Sequence, residues 1–159
     1  MQYKIATIVM TIEKEIKSTI PLEISKKVIL NIFFTRNVVV DNLLELLKPF
    51  DISIEQYNVL RILKGQKGIP ANMNVIQERM ITKNSNTTRL IDKLLNKQKV
   101  TRAICPSNKR KIEINITQKG LDTLDSLEPN IKNLESFFTN KLNSNELEQL
   151  NSLLEKLRT

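Results

Sequence analysis

Within the segment Thr82–Thr117, TKNSNTTRLIDKLLNKQKVTRAICPSNKRKIEINIT, the apolar period changes abruptly, and that change limits the possible folds more than any other stretch. In its first half Leu90, Leu94 and Leu95 recur at helical spacing with Ile91 beside them, which makes one apolar stripe. In its second half Ile112, Ile114 and Ile116 alternate strictly with Lys111, Glu113 and Asn115, so three β-branched side chains share one face of a strand. Val100, Ala103, Ile104 and Cys105 supply its partner strand. Pro106, Ser107, Asn108, Lys109 and Arg110 form the loop between them.

The face of the helix opposite the stripe carries Ser85, Asn86, Thr88, Arg89, Asp92 and Lys93. Ser, Asn and Thr are middling helix formers, so their clustering means either a capped, solvated first turn or a surface that hydrogen-bonds outward. Thr82 or Asn84 is placed to cap, which leaves the others over. A basic hairpin alone is ordinary surface, but one directly after such a helix is the pattern of a winged helix. Charge agrees with that pattern. From Lys83 to Lys111 nine cations (Lys83, Arg89, Lys93, Lys97, Lys99, Arg102, Lys109, Arg110, Lys111) face one anion, Asp92, a net of +8. The whole chain holds 25 basic and 17 acidic residues, so the remainder sums to 16 minus 16, or zero. An excess confined to one helix and one hairpin is the footprint expected for phosphate contacts.

The 159 residues suffice for one core with helical extensions, and 40% hydrophobic with 26% charged residues is a globular composition. The absence of Trp, with five Phe and two Tyr, argues against aromatic stacking platforms for single strands. A single cysteine, Cys105, excludes an internal disulfide and fits a reducing compartment; on a strand its default role is a buried structural thiol. The apolar run Ile5–Ile12 is short and lacks a small-residue cleavage site, so a cytoplasmic chain with no membrane association is expected.

In chain order, Met1–Ile20 reads as a first helix or an arm ended by Pro21. Leu22–Leu47 reads as a long helix weakened in its middle by Asn37 and Val38–Val40 and closed by Lys48 and Pro49. Ser53 and Gln56 match a capping box that opens a helix through Leu63, ended by Gly65 and Gly68. Met73–Met80 reads as a short helix, and Ile81–Lys83 as a tight connection to the next, the spacing of a helix-turn-helix. Thr117 caps a helix whose apolar positions run from Leu121 to Leu142 past Pro129, which should kink or interrupt it. Ser144 is placed to cap a last helix bearing Leu147, Leu150, Leu153, Leu154 and Leu157. The outer helices carry more apolar surface than a small lobe needs, which points to a second subunit.

The stretches LLKPFDISIEQYNVLRIL, ERMITKNSNTTRLIDKLLNK and RAICPSNKRKIEINITQKG, in this order and with these gaps, resemble the MarR family of winged-helix transcriptional regulators from about Leu22 to Leu157. The resemblance implies a mainly α fold with a small β-hairpin wing. It consists of a winged helix-turn-helix lobe at about 52–117 and dimerisation helices at about 1–48 and 118–159, all one MarR-type domain. It implies a homodimer on near-palindromic double-stranded DNA. Ser85, Asn86, Thr88 and Arg89 fall on the recognition helix, and Lys109, Arg110 and Lys111 on the wing, with Arg110 at the arginine that reaches a minor groove. Lys83 and Lys93 join them as phosphate contacts. Three positions depart from the family pattern: Asp51 and Gln98 each replace a usual glycine, and Asn108 a usual aspartate that holds the wing arginine.

The function implied is a sequence-specific regulator, a repressor more often than an activator, with release by a small aromatic or lipophilic effector in a crevice between dimer helices and lobe. Phe33, Phe34 and Tyr57 are candidates to line it, with core packing as the other role for each. No catalytic residue, cofactor or metal is expected. The chain has no His and three Gly, and no phosphate-cradling loop or metal-ligand cluster, which removes the usual general-base, dinucleotide and P-loop solutions. A protein-interaction module on the same fold is the rival reading, and it would predict no charge bias on the helix and wing.

Overall fold

Short polar side chains set most of the helix starts in this chain. Ser53 accepts the amide of Gln56 at 3.2 Å while the Gln56 side chain accepts the amide of Ser53 at 3.0 Å, the reciprocal capping box. Asn72, Thr117 and Asn143 likewise accept amides at the starts of three further helices. The computed structural model describes the backbone of residues 10–105 and 108–158 and the side chains of 10–104 and 111–158. Its elements are helices α1 (Ile12–Glu15) and α2 (Ile24–Leu47), a 3-10 turn (Lys48–Phe50), α3 (Ile54–Lys64), α4 (Met73–Arg79) and α5 (Thr87–Asn96). The strands β1 (Val100–Cys105) and β2 (Asn108–Ile116) follow, then α6 (Gln118–Thr139) and α7 (Ser144–Lys156). The fold is mostly helical with one antiparallel hairpin, as the sequence predicts.

The core lies under the middle of the chain. Leu47, Val59, Leu60, Ile76, Met80, Ile91, Leu94, Ile114 and Leu127 are all but inaccessible to solvent and pack as one cluster drawn from α2, α3, α4, α5, β2 and α6. The hairpin pairs Val100 with Ile116, Arg102 with Ile114 and Ile104 with Ile112, with an irregularity between Ile104 and Cys105. A third strand-like segment stiffens its base, because Ala71 and Ile114 exchange backbone hydrogen bonds of 3.0 and 2.8 Å. Of the three alternating isoleucines only Ile114 is fully buried, whereas Ile112 stays exposed with its cross-strand neighbour Ile104.

Four details differ from the sequence expectations. The long helix does not weaken at Val38–Val40: α2 is continuous, and Asn42 donates to the Val38 carbonyl at 2.8 Å inside it. α6 also runs unbroken through Pro129, which removes only the amide that would reach the Asp125 carbonyl, and Asp125 faces solvent beside Lys64. The last helix is capped by Asn143, in a capping box with Glu146, and not by Ser144. The connection from α4 to α5 spans residues 80–86, longer than Ile81–Lys83, because α5 starts at Thr87. At the N-terminus α1 buries Ile12 and pairs Glu13 with Lys27; the remainder of the expected arm, residues 1–9, lies outside the described residues. Among the described residues no helix is long and apolar enough to cross a membrane.

Candidate nucleic-acid interface

α5 is anchored by its apolar side. Ile91 and Leu94 are buried, Leu90 and Leu95 half-buried, and the opposite side carries Thr88, Arg89, Asp92 and Lys93 in solvent. Its first turn departs from the expected layout. Asn86 is the N-cap, its side-chain oxygen accepting the Arg89 amide at 3.0 Å, where Thr82 or Asn84 was the expected cap. The cap consumes that oxygen and leaves the Asn86 amide group facing out. The Ser85 hydroxyl is turned inward with no protein partner, so it does not belong to the outward surface. Thr88 and Arg89 therefore lead the exposed face, in the first turn of the helix, where the N-terminal dipole favours anions.

The wing follows α5 through a tight turn. Gln98 takes a left-handed conformation with φ of 57°, the conformation that makes glycine usual there. Asp51, the other departure from glycine, is also left-handed with φ of 51°. Its carboxylate meets Lys97 at 2.8 Å, which holds it below the usual carboxylate range. The Thr117 hydroxyl donates to the Gln98 carbonyl at 2.8 Å while capping α6. α6 comes so near this turn that a Cβ on Gly120 would stand 2.3 Å from the Lys99 carbonyl oxygen. The wing's β1 and β2 project from this base. Lys111 is exposed on β2, whereas the tip residues Pro106 and Ser107 and the side chains of Cys105, Asn108, Lys109 and Arg110 lie outside the described residues.

The charge footprint is smaller than the sequence count. Lys97 is committed to Asp51, and Arg102 pairs with Asp92 at 2.6 Å. Lys99 is buried and donates to the Thr123 hydroxyl at 2.6 Å; burial, then Lys119 and Lys97, push its ammonium below the ordinary lysine value. Three of the nine cations thus serve internal structure. Arg89, Lys93 and Lys111 stay exposed, and Lys83 is exposed with its ammonium on the Glu78 carbonyl at 2.6 Å. Lys93 stands somewhat apart, on the flank of α5 over a cleft of about 630 Å³ formed with α2 and α3. Sequence reasoning also missed Gln77, whose side chain holds both the Lys83 carbonyl and the Thr87 hydroxyl. No local pattern marks it, since its partners are on the next helix and the connection to it.

The three crevice candidates do not gather at one place. Tyr57 lines a groove of about 380 Å³ between α3 and α6, with Arg61 stacked 5.7 Å over its ring and burial raising its phenol above the ordinary value. Phe33 and Phe34 are exposed on α2 and are not among the groove's lining residues. Among the described residues no group of acidic, Cys or His side chains forms a metal site.

Comparison with known proteins places this geometry. Residues 52–112 match the model of the MarR family. No curated protein sequence matches the chain. Solved structures do. A MarR transcription factor from Planctomyces limnophilus aligns at 26% identity over 86% of this chain and 98% of its own, with a TM-score of 0.62. A mutant of Escherichia coli MarR complexed with operator DNA aligns at 23% identity over 86% and 99%, with a TM-score of 0.71. Bordetella bronchiseptica BpsR, whose DNA binding is regulated by 6-hydroxynicotinic acid, aligns at 17% identity over 87% and 97%, with a TM-score of 0.75. Residues 52–112 are therefore similar to the MarR family model, and the chain shares the winged helix-turn-helix fold of the solved MarR-type regulators.

Proposed function

We propose that the protein is a homodimeric, sequence-specific DNA-binding regulator that represses promoters through a near-palindromic site. The observation that carries this reading is the exposed pair Thr88 and Arg89, set on the second helix of a helix-turn-helix with a cationic wing beside it. Arg89, Thr88 and the free amide of Asn86 read base edges in the major groove. Ser85 contributes through its backbone position at the helix entrance. Lys83, Lys93, Lys109 and Lys111 neutralise phosphates, and Arg110 enters a minor groove. The whole chain works as one unit, with 1–48 and 118–159 pairing two lobes of 52–117.

The dimer is supported by α7, in which no residue is buried and Leu150 and Leu153, with Leu157 just after it, face solvent. Two lobes related by a two-fold axis require two half-sites, hence the near-palindrome. Occupancy of such a site excludes other proteins from the promoter, which makes repression the expected sign. The groove at Tyr57 is large enough for a small aromatic or lipophilic effector, and binding of one there, or in a crevice completed by Phe33 and Phe34 of the dimer helices, releases the DNA. Such a regulator acts in the cytoplasm, where its DNA is.

Fluorescence anisotropy tests the reading. The protein is titrated onto its own upstream duplex and onto a scrambled duplex of equal length at several salt concentrations, with Arg110→Ala and Arg89→Ala alongside. Binding to the upstream duplex should be on the order of a thousandfold tighter, falling steeply with salt. Arg110→Ala should weaken binding to many sequences, and Arg89→Ala should change the preference among them. Failure to bind any duplex at low salt would overturn the proposal.

A further inference from the structure

The outward end of α5 rests on a connection that is anchored at its start by the buried Met80 and has little to hold it after that. Residues 81–84 are exposed, and within 80–86 the backbone bond from the Ser85 amide to the Thr82 carbonyl, 3.1 Å, is a local turn that fixes nothing to the lobe. The apolar anchors of α5, Ile91 and Leu94, lie one to two turns further on. The tie comes from α4. The Gln77 side-chain amide donates to the Lys83 carbonyl, and its oxygen accepts the Thr87 hydroxyl, so one side chain spans the connection and the first residue of α5. The chemistry fixes which end faces which partner: a carbonyl can only accept, so the NH2 group must face Lys83, and the oxygen is left for the hydroxyl. Lys83 is tied a second time to the same helix through its ammonium on Glu78 O. Thr87 is buried, which makes the loss of its Gln77 partner costly.

We propose that Gln77 is a positioning residue for DNA reading, setting the pose of Asn86, Thr88 and Arg89 from α4 by bridging Lys83 and Thr87. The inference rests on the DNA-binding reading above. Its chemistry is specific to glutamine. Glutamate presents lone pairs to the Lys83 carbonyl, leucine holds neither partner, and asparagine is one methylene too short to reach both.

The test uses the same two duplexes with Gln77→Leu, Gln77→Glu, Thr87→Val and Thr87→Ser in the full chain, each checked by circular dichroism melting. Loss of one or two hydrogen bonds from the support of the helix end should lower the ratio of upstream to scrambled affinity by on the order of five- to tenfold in Gln77→Leu, Gln77→Glu and Thr87→Val. Thr87→Ser, which restores the hydroxyl, should keep the wild-type ratio. Affinity for the scrambled duplex and its salt slope should stay unchanged in Gln77→Leu, Thr87→Val and Thr87→Ser, which alter no charge, whereas Gln77→Glu adds an anion and should also weaken scrambled-duplex binding. The pair Gln77→Leu and Thr87→Val should be coupled, the double variant losing no more than the worse single one. Wild-type ratios in Gln77→Leu and Thr87→Val, or a loss in Thr87→Ser equal to that in Thr87→Val, would overturn the assignment. If Gln77→Leu does not fold, the Thr87 variants decide by the same criterion. A wild-type protein that binds both duplexes equally instead overturns the specific-binding reading itself, a result separable from failure of the Gln77 bridge.

Discussion

From Ile52 to Thr117 the chain closes on itself together with the last turn of α2 and the buried side of α6, whereas the first half of α2 and α7 do not. In the lobe, Val59, Leu60, Ile76, Ile91, Leu94 and Ile114 are wholly buried against one another. In α7 nothing is buried, Leu153 being 60% exposed, and along the first half of α2 Ile24 is 75% and Phe33 59% exposed. The boundary falls inside α2, whose last turn contributes the buried Leu46 and Leu47 to the core. Leucine and phenylalanine side chains in a row on two helices are costly in water, and such faces mark an interface. One region has finished its packing; the other leaves apolar rows in solvent, the rows that the proposed dimer would cover.

If that contrast is right, truncating a side chain should have different consequences on its two sides. The largest effect belongs to the lobe. Leu60→Ala should cost about 3 kcal/mol in urea unfolding, with no dependence on protein concentration. Leu153→Asp should leave the lobe folded yet weaken self-association about a hundredfold, seen as a sedimentation shift towards monomer and a lowered melting temperature that varies with concentration. At the junction of the two regions, Gly120→Ala forces a methyl group against the Lys99 carbonyl and Ile116, and should cost about 2 kcal/mol in the same unfolding measurement. Gln98→Gly, which relieves the left-handed turn into the wing, should instead raise stability by about 0.5–1 kcal/mol.

The smallest expected effect is one of pH. Lys99 is held below the ordinary lysine value by its burial, so the unfolded chain binds the proton more tightly. Stability therefore rises as pH climbs through the folded value towards 10.5, and Lys99→Met should flatten that alkaline slope in unfolding experiments. A slope unchanged in Lys99→Met would assign it to another group.

What could be read in the sequence follows the range of the interactions involved. The capping box at Ser53 and Gln56, the stripe Leu90–Leu95 and the alternation Ile112–Ile116 are local, and each element lies where its pattern puts it. The cap of α5 was harder, since Thr82, Asn84 and Asn86 are all competent; the structure has Asn86 as the cap, with the adjacent Thr87 tied to Gln77 on another helix. The charge count overstates the free cations for the same reason. Nothing in the spacing of Lys97, Lys99 and Arg102 reveals that Asp51, Thr123 and Asp92 engage them. Pro129 misled in the opposite direction, because a missing amide on the solvent side of a helix is tolerable when the freed carbonyl can reach water. The candidate crevice rests on the resemblance and on aromatic residue type, neither of which says whether Phe33 and Tyr57 face the same space.

Sedimentation of the protein mixed with its upstream duplex measures the two regions at once. Two chains per duplex, with Leu153→Asp unable to form that complex at the same concentration, is the result expected of lobes that read DNA as a pair held by α2 and α7. One chain per duplex, or a pair that survives Leu153→Asp unchanged, would contradict it.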